Sequence, residues 1–407
     1  MAEPTPVSAA VPTGEPTAVP TAVPAAVPAV GPTAGPAQQS AHPGPPDSTA
    51  PAGAAGSHPA QTSLDVIMQG TVFLDIVLSG LPGLPVGGTE IYAEGMGSAP
   101  GGVANMAVAA SRLGLRTGLA AAFGDDLYGD FLYRTLAEQE GIDLSLSRRY
   151  EHWHSPVTVS LAVNRDRAMV THAHPSPVPD DELIGDPPRA AAAVVHLGGE
   201  PAGWVRAAQQ SGTLLFGDVG WDATEQWTPE SLRGMDDLHA FLPNCAEAMA
   251  YTRTDEPREA LMALADSVPV VVITCGGQGS IGLDSTTGEE EWVPSLPVHA
   301  VDPTGAGDVF AAAFILGELR GWPLRHRMSF ANLCAGLSVQ QMGGSLSAPG
   351  WGDLADWLTS VRAKSAAGSR PAAVLEHSYG FLSELLPTGP TREVRRATAT
   401  IARFSDA

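Results

Sequence analysis

Residues 298–320 read VHAVDPTGAGDVFAAAFILGELR. The stretch starts as a short alternating strand and breaks at Asp302-Pro303. It then passes through Thr304-Gly305-Ala306-Gly307-Asp308 into an apolar, alanine-rich helical run that stops before Gly321 and Pro323. A strand, a glycine turn and a helix in that order make an anion site. The first turn of a helix leaves backbone N–H groups without partners and carries the positive end of the helix dipole. Gly305 and Gly307 lack a Cβ, so a phosphoryl group can come close to the amides of residues 305–307. Asp308 stands at the same place. A carboxylate beside a phosphoryl group fits a base that takes the proton of an attacking hydroxyl, and it fits equally a helix cap, where Asp is favoured.

The phrase AVDPTGAGDVFAAAF, residues 300–314, resembles the second signature of the PfkB, or ribokinase-like, family of carbohydrate and nucleoside kinases. The resemblance implies an α/β protein with a three-layer α/β/α architecture, a mostly parallel central sheet and a small β lid. It makes Asp308 the catalytic base and Gly305, Ala306 and Gly307 the anion hole for the transferred phosphoryl. Further phrases extend it in order along the chain. Pro100-Gly101-Gly102-Val103-Ala104-Asn105 resembles the first signature, in which the glycine pair approaches the sugar and Asn105 bonds it from a helix start. Asp75, late in the apolar stretch LDVIMQGTVFLDIV (residues 64–77), matches an Asp that binds substrate hydroxyls, although alone it also reads as a surface residue of a half-exposed strand. Gly124-Asp125-Asp126-Leu127-Tyr128-Gly129 matches the family's G-x-D-x-x-G turn, with a structural or outer-pocket role.

In the second half, Asn244-Cys245-Ala246-Glu247 matches an N-x-x-E motif. In the family this motif holds the Mg2+–phosphate network, with Glu247 reaching the metal through water; the same residues also spell an ordinary capping box. Thr274, Gly276 and Gly279 match a T-x-G-x-x-G turn set against the nucleotide, and Asn332 matches a position bordering the adenine pocket. Asp302 and Thr304 match positions that help hold a monovalent cation such as K+, although Pro303 replaces the more frequent threonine. The resemblance thus implies ATP as co-substrate, Mg2+, and a sugar or sugar-like acceptor. A nucleoside acceptor and a non-catalytic sugar or nucleotide sensor stand as alternatives, and the family suggests a homodimer formed through the lid.

The rest of the chain sets bounds. It has 407 residues, with 22 basic against 44 acidic side chains and a net charge of −22, which argues against a general nucleic-acid binder. Lys364 is the only lysine and no glycine precedes it, so a Walker A loop is ruled out. Gly277-Gln278-Gly279-Ser280-Ile281-Gly282 spells G-x-G-x-x-G, but a turn and a strand follow where a dinucleotide fold needs a helix. Cys245, Cys275 and Cys334 are widely spaced, which suits a reduced cytoplasm and neither a disulfide scaffold nor a zinc site. No apolar run approaches a bilayer span, and the first basic residue is Arg112, so neither a membrane segment nor a signal peptide is expected.

Residues 1–62 are rich in Pro and Ala and are expected to be disordered with polyproline II character. The kinase domain is expected over residues 63–360, with lid pieces at about 76–99 and 155–175, and residues 361–407 form an extension of unassigned role. His152 with His154, and His172 with His174, have the spacing that puts two rings on one strand face, for which a metal site is one reading. Arg165 and Arg167 in the same hairpin turn either contact substrate or are solvated.

Overall fold

The computed structural model describes residues 63–386 except 164, 165, 199 and 221–225, together with the backbone of Phe404 and Ser405. The proline-rich tail, Arg165 of the lid turn and most of residues 387–407 lie outside the described residues.

β1 (Leu64–Gln69) opens the central sheet, sending Val66 and Met68 to one core and Leu64 and Ile67 to the other. The chain leaves that sheet at once. β2 (Val72–Ser79) and β3 (Gly95–Gly102) pair antiparallel in a second sheet, and α1 (Ala104–Arg112) brings the chain back to β4 (Thr117–Ala120) beside β1. A short parallel pair, β5 (Ala122–Gly124) and β6 (Arg148–Tyr150), flanks α2 (Leu127–Arg134). β7 (Val157–Val163) and β8 (Asp166–His172) then complete the second sheet, with β7 parallel to β2.

After α3 (Asp180–Ile184) the expected βαβ rhythm takes over: β9 (Ala190–His196), α4 (Gly203–Gln210), β10 (Leu214–Asp218), β11 (Ala240–Phe241), α5 (Cys245–Thr252), α6 (Pro257–Ala265) and β12 (Val270–Thr274). These strands are parallel, whereas β13 (Ser280–Asp284) and β14 (Glu289–Val293) turn back antiparallel at the edge. The order is β14-β13-β12-β11-β10-β9-β1-β4, and its direction of growth reverses between β1 and β9. In such sheets ligands gather at the carboxyl ends of strands near the reversal.

α7 (Ala306–Leu319), α8 (Leu324–Ser338) and α9 (Trp351–Ala366) cover one face with α1, while α4 and α6 cover the other. Covering both faces is why the parallel strands read as unbroken apolar runs such as VVVIT. α9 runs through residue 360, where the domain was expected to end. α10 (Arg370–Ser378) and α11 (Leu382–Leu385) follow it, and Tyr379 and Leu382 are buried in the same core as Phe314 and Phe330. His326 stacks on Phe381 at 4.2 Å. The first part of the expected extension is therefore packed into the fold.

The second sheet, ordered β3-β2-β7-β8, is the lid, and the backbone of residues 404–405 pairs along the outer edge of β3 as β15 (Phe404–Ser405). Within the expected lid piece, residues 89–94 stay largely irregular, and the strand that pairs with β2 is the glycine-rich GMGSAPGG of β3. Eight consecutive pairings with β2 hold that stretch extended despite its poor strand propensity.

Asp126 ties the lid to the body. Its carboxylate caps α2 through the Gly129 amide at 2.7 Å and accepts from the Ser155 amide at 2.8 Å and hydroxyl at 2.9 Å. Burial alone would raise this carboxyl, but the three donors hold it below its ordinary value. The G-x-D-x-x-G turn thus fixes the loop that leads into β7. Of the lid histidines, His172 and His174 pack edge to face at 4.9 Å, and no group of three or more candidate metal ligands occurs among the described residues. Nor is any described helix long and apolar enough to cross a membrane.

Candidate active site

α7 begins where the sequence places it. Gly305 is its N-cap, in the left-handed region at φ +74°, and a Cβ there would press on the Asn105 side chain at 3.1 Å. The Ala306 amide turns back to the Pro303 carbonyl at 3.2 Å, whereas the Gly305 and Gly307 amides have no hydrogen-bond partner among the described residues. Asp308 follows in the first helical turn and receives a hydrogen bond from Asn105 Nδ2 at 3.2 Å. Asn105 is itself buried in α1, and its Oδ1 has no hydrogen-bond partner among the described residues.

Asp308 lines a cavity of about 200 Å³ with apolar walls from Met106, Phe216 and Ile315 and polar groups from Asp218, Asn244, Glu247 and Thr274. Burial raises the Asp308 carboxyl to about 7, helped by the charges of Asp218 and Asp75 and opposed by the Asn105 amide. Burial likewise raises Asp218 to about 6 against the Val219 amide. Glu247 is pushed upward by burial first and then by Asp218, although the Asn244 amide pulls it back. Among the described residues, no arginine or lysine lines the cavity.

Asp75 reaches the same electrostatic neighbourhood from the lid, and Gly101 explains how. A Cβ at Gly101 would overlap the Asp75 carboxylate outright, so glycine is what lets the acid lie across β3. Gly102 sits at φ +63° beside the Thr71 carbonyl. Gly101→Ala should therefore displace the Asp75 carboxylate; on the expectation that Asp75 binds the acceptor, it should raise the acceptor KM by roughly 10-fold or more, as for one misplaced charged hydrogen-bond partner. Its KM for ATP should stay within a factor of about two; an unchanged acceptor KM would remove Asp75 from the acceptor site. On the same lid face, Thr158 is paired in register with Asp75 and shares a 3.0 Å hydroxyl contact with Thr171.

On the other side of the cavity the capping box is real. Asn244 Oδ1 accepts from the Glu247 amide at 3.0 Å, while the Asn244 amide donates to Glu247 Oε2 at 2.9 Å. The cap also places a largely buried carboxylate on the cavity wall. Thr274 lies beside it through a parallel bridge to Asn244. This neighbourhood overturns the expectation of three unpaired cysteines, because Cys245 and Cys275 form a disulfide, their Cα atoms 5.2 Å apart across 30 residues. Spacing in sequence could not show it; the parallel alignment of β11 and β12 brings the two turns together. Cys334 is free and buried.

Gly276 and Gly279 form the turn after Thr274, Gly276 exposed and Gly279 packed against the backbone of residues 293–295. Asn332 does not open onto the cavity. It is buried, and its amide donates to Ser280 Oγ at 3.0 Å and the Val293 carbonyl at 3.2 Å, holding the wall behind that turn. Asp302 is also committed to the backbone, accepting from the amides of Thr304 at 3.0 Å and Gly343 at 3.3 Å.

Residues 79–351 match the pfkB family of carbohydrate kinases. The chain belongs to that family. It is similar to a nucleoside kinase of Methanothermobacter thermautotrophicus, 28% identical over 267 residues that cover 64% of this chain and 84% of the relative. It is also similar to a fructokinase of Klebsiella pneumoniae, 30% identical over 283 residues, covering 63% and 90% of the two chains. In fold it resembles a putative ribokinase II from E. coli in complex with ATP and Mg2+, with a TM-score of 0.62, 20% identity and coverage of 73% and 99%.

Two residues of this PfkB kinase escaped the sequence reading. Asp218 ends β10 and lines the cavity, and His196 ends β9, where its charge acts on Glu247. The one signal available was that each closes an apolar strand with a polar side chain, at the end of the sheet where ligands gather.

Proposed function

We propose that the cleft at the start of α7 transfers the γ-phosphoryl group of ATP to a hydroxyl of a sugar or sugar-like acceptor, with Asp308 as the base. One observation carries this reading: a carboxylate raised to about 7 lies beside the open amides of a helix N-terminus and is oriented by a buried amide from another helix. A base with that value is half ionised near neutrality and can take a hydroxyl proton as the new O–P bond forms. The amides of Gly305 and Gly307 then meet the negative charge on the transferred group. Asp75 and Asn105 orient the acceptor, and the unpartnered Oδ1 of Asn105 is an acceptor suited to a substrate hydroxyl.

A divalent cation suits the opposite wall. Asp218 and Glu247 are pushed toward holding protons and, among the described residues, no basic side chain lines the cavity, so these acids suit a bound cation. Asn244 and Glu247 would hold Mg2+ through water, with Asp218 beside them. Bound there, Mg2+ neutralises phosphate charge during transfer. A monovalent cation near Asp302 and Thr304 would stiffen the α7 turn. The exposed Met96 and Val170, which share one side of the lid sheet, offer a face for a second copy of the chain. We keep a cytoplasmic setting as part of this reading, in which the Cys245–Cys275 bond would be open to reduction.

The test is ADP release with Mg-ATP across ribose, fructose, 2-keto-3-deoxygluconate, fructose phosphates and nucleosides, with and without potassium. A nucleoside is the second reading, favoured by the likeness to a nucleoside kinase. Turnover with a free sugar supports the first reading, turnover with nucleosides alone replaces it, and silence across the panel with ATP binding intact overturns both for these acceptors.

A further inference from the structure

The disulfide sits at a telling place. Cys245 directly follows Asn244 and Cys275 directly follows Thr274, and Asn244 and Thr274 both line the cavity that holds Asp308. Cys275 begins the turn Gly276-Gly277-Gln278, which is exposed throughout, and a Cβ added to either glycine would meet nothing within 4 Å. Packing therefore does little to fix this turn. Its other ties are local or single: the Cys275 amide to the Gly279 carbonyl at 2.7 Å, and Ser295 Oγ to the Gly277 carbonyl at 2.6 Å. Toward α5 it has the Thr274 amide on the Pro243 carbonyl at 3.0 Å and the disulfide. The covalent bond thus joins an otherwise loosely held glycine turn to the helix start that aims Glu247.

We propose that Cys245 and Cys275 form a reversible thiol–disulfide site that sets how tightly this kinase holds Mg-ATP. This rests on the reading of these two turns as the nucleotide side. The reductant is a dithiol, small or protein-borne. Its thiolate attacks the half-buried Cys275 Sγ at the start of the exposed turn, the S–S bond breaks, and Cys245 leaves as a thiolate at the first position of α5. The second thiol of the reductant then displaces Cys275 and closes its own disulfide. Two electrons and two protons pass to the protein, which ends with two thiols. In the oxidised form the turn and α5 are preorganised together; in the reduced form ordering the glycine turn is charged against binding.

The experiment is calorimetric titration of the full chain with Mg-ATP, without acceptor, before and after treatment with a dithiol, alongside counting of reactive thiols. Reduction is expected to release two reactive thiols, with buried Cys334 staying silent, and to weaken Mg-ATP binding by about 3- to 10-fold, reversibly on reoxidation. Cys245→Ser and Cys275→Ser should bind like the reduced protein in either buffer, and Cys334→Ala should keep the response. Equal affinity in the two states, with two thiols released, overturns the redox control and leaves the nucleotide assignment standing. Turnover is assayed on the same two samples: a shift in acceptor KM on reduction with unchanged ATP affinity would instead show that these turns do not hold the nucleotide, and the inference falls with that assignment.

Discussion

Asp308→Asn should lower kcat by roughly 10² to 10⁴, the range typical for loss of a general base, while Mg-ATP binding stays measurable. The amide keeps the shape and the contact to Asn105 but cannot take a proton. In the unaltered enzyme kcat/KM should rise through pH 7 and level off above it, because the carboxyl titrates at about 7 and only its ionised form is a base. The variant should lose that limb. Stability should move the opposite way. The folded value lies above the ordinary 3.8, so the folded chain keeps a proton that the unfolded chain releases, and stability falls as pH rises between roughly 4 and 7. Asparagine avoids that penalty. The variant should melt above the parent at pH 8, by roughly 2–4 °C per kcal/mol recovered, and the difference should shrink at pH 5. Unchanged turnover would sink the mechanism, and a lower melting point at pH 8 would sink the electrostatic account.

Arg327→Ala should cost about 3–5 kcal/mol and lower the melting temperature on the order of 10 °C, read by thermal unfolding. Arg327 on α8 is buried at 4% exposure, binds Asp284 Oδ2 at 2.6 Å and Glu318, and lies over the Phe314 ring at 5.6 Å. Glu318 also meets His239 Nε2 at 3.0 Å, so one guanidinium joins the ends of α7 and α8 to β13 and to the residue before β11. Removing it leaves Asp284 and Glu318 without the buried guanidinium that both contact. Burial would raise both, yet their partners, Thr286 and Arg327 for Asp284 and His239 and Arg327 for Glu318, outweigh it and hold both low. Groups held low contribute stability above their unfolded values, and that stability is lost as pH falls through the folded ones. The penalty of Arg327→Ala should therefore be full at pH 7 and shrink below pH 4, where both acids take up protons. The exposed pair Arg116 and Asp65 is the control, since breaking a solvated pair should barely move the melting curve. A small penalty at Arg327 would mean that water or repacking replaces the network.

The anion turn was legible because its geometry is local. A helix start, two glycines and an acid within five residues fix where amides and carboxylate stand, whatever surrounds them. The same holds for the capping box of Asn244 and Glu247 and for the parallel strands, whose unbroken apolar runs follow from burial on both faces.

What depended on distant partners was not legible. The Asn105 bond to Asp308 crosses 203 residues, and the pairing of Cys245 with Cys275 follows from strand alignment alone. Asn332, a motif position in sequence, is turned inward because α8 packs on the strands that carry Ser280 and Val293. β3 is a strand only because β2 supplies its hydrogen bonds, and a glycine-rich segment carries no pattern that announces a partner. The sequence by itself determined the chemistry of the turn, since that rests on hydrogen bonding between neighbours in the chain. Only the tertiary structure decided how strongly that carboxylate holds its proton, because the apolar walls and the second acid come from β10, α1 and the far side of α7.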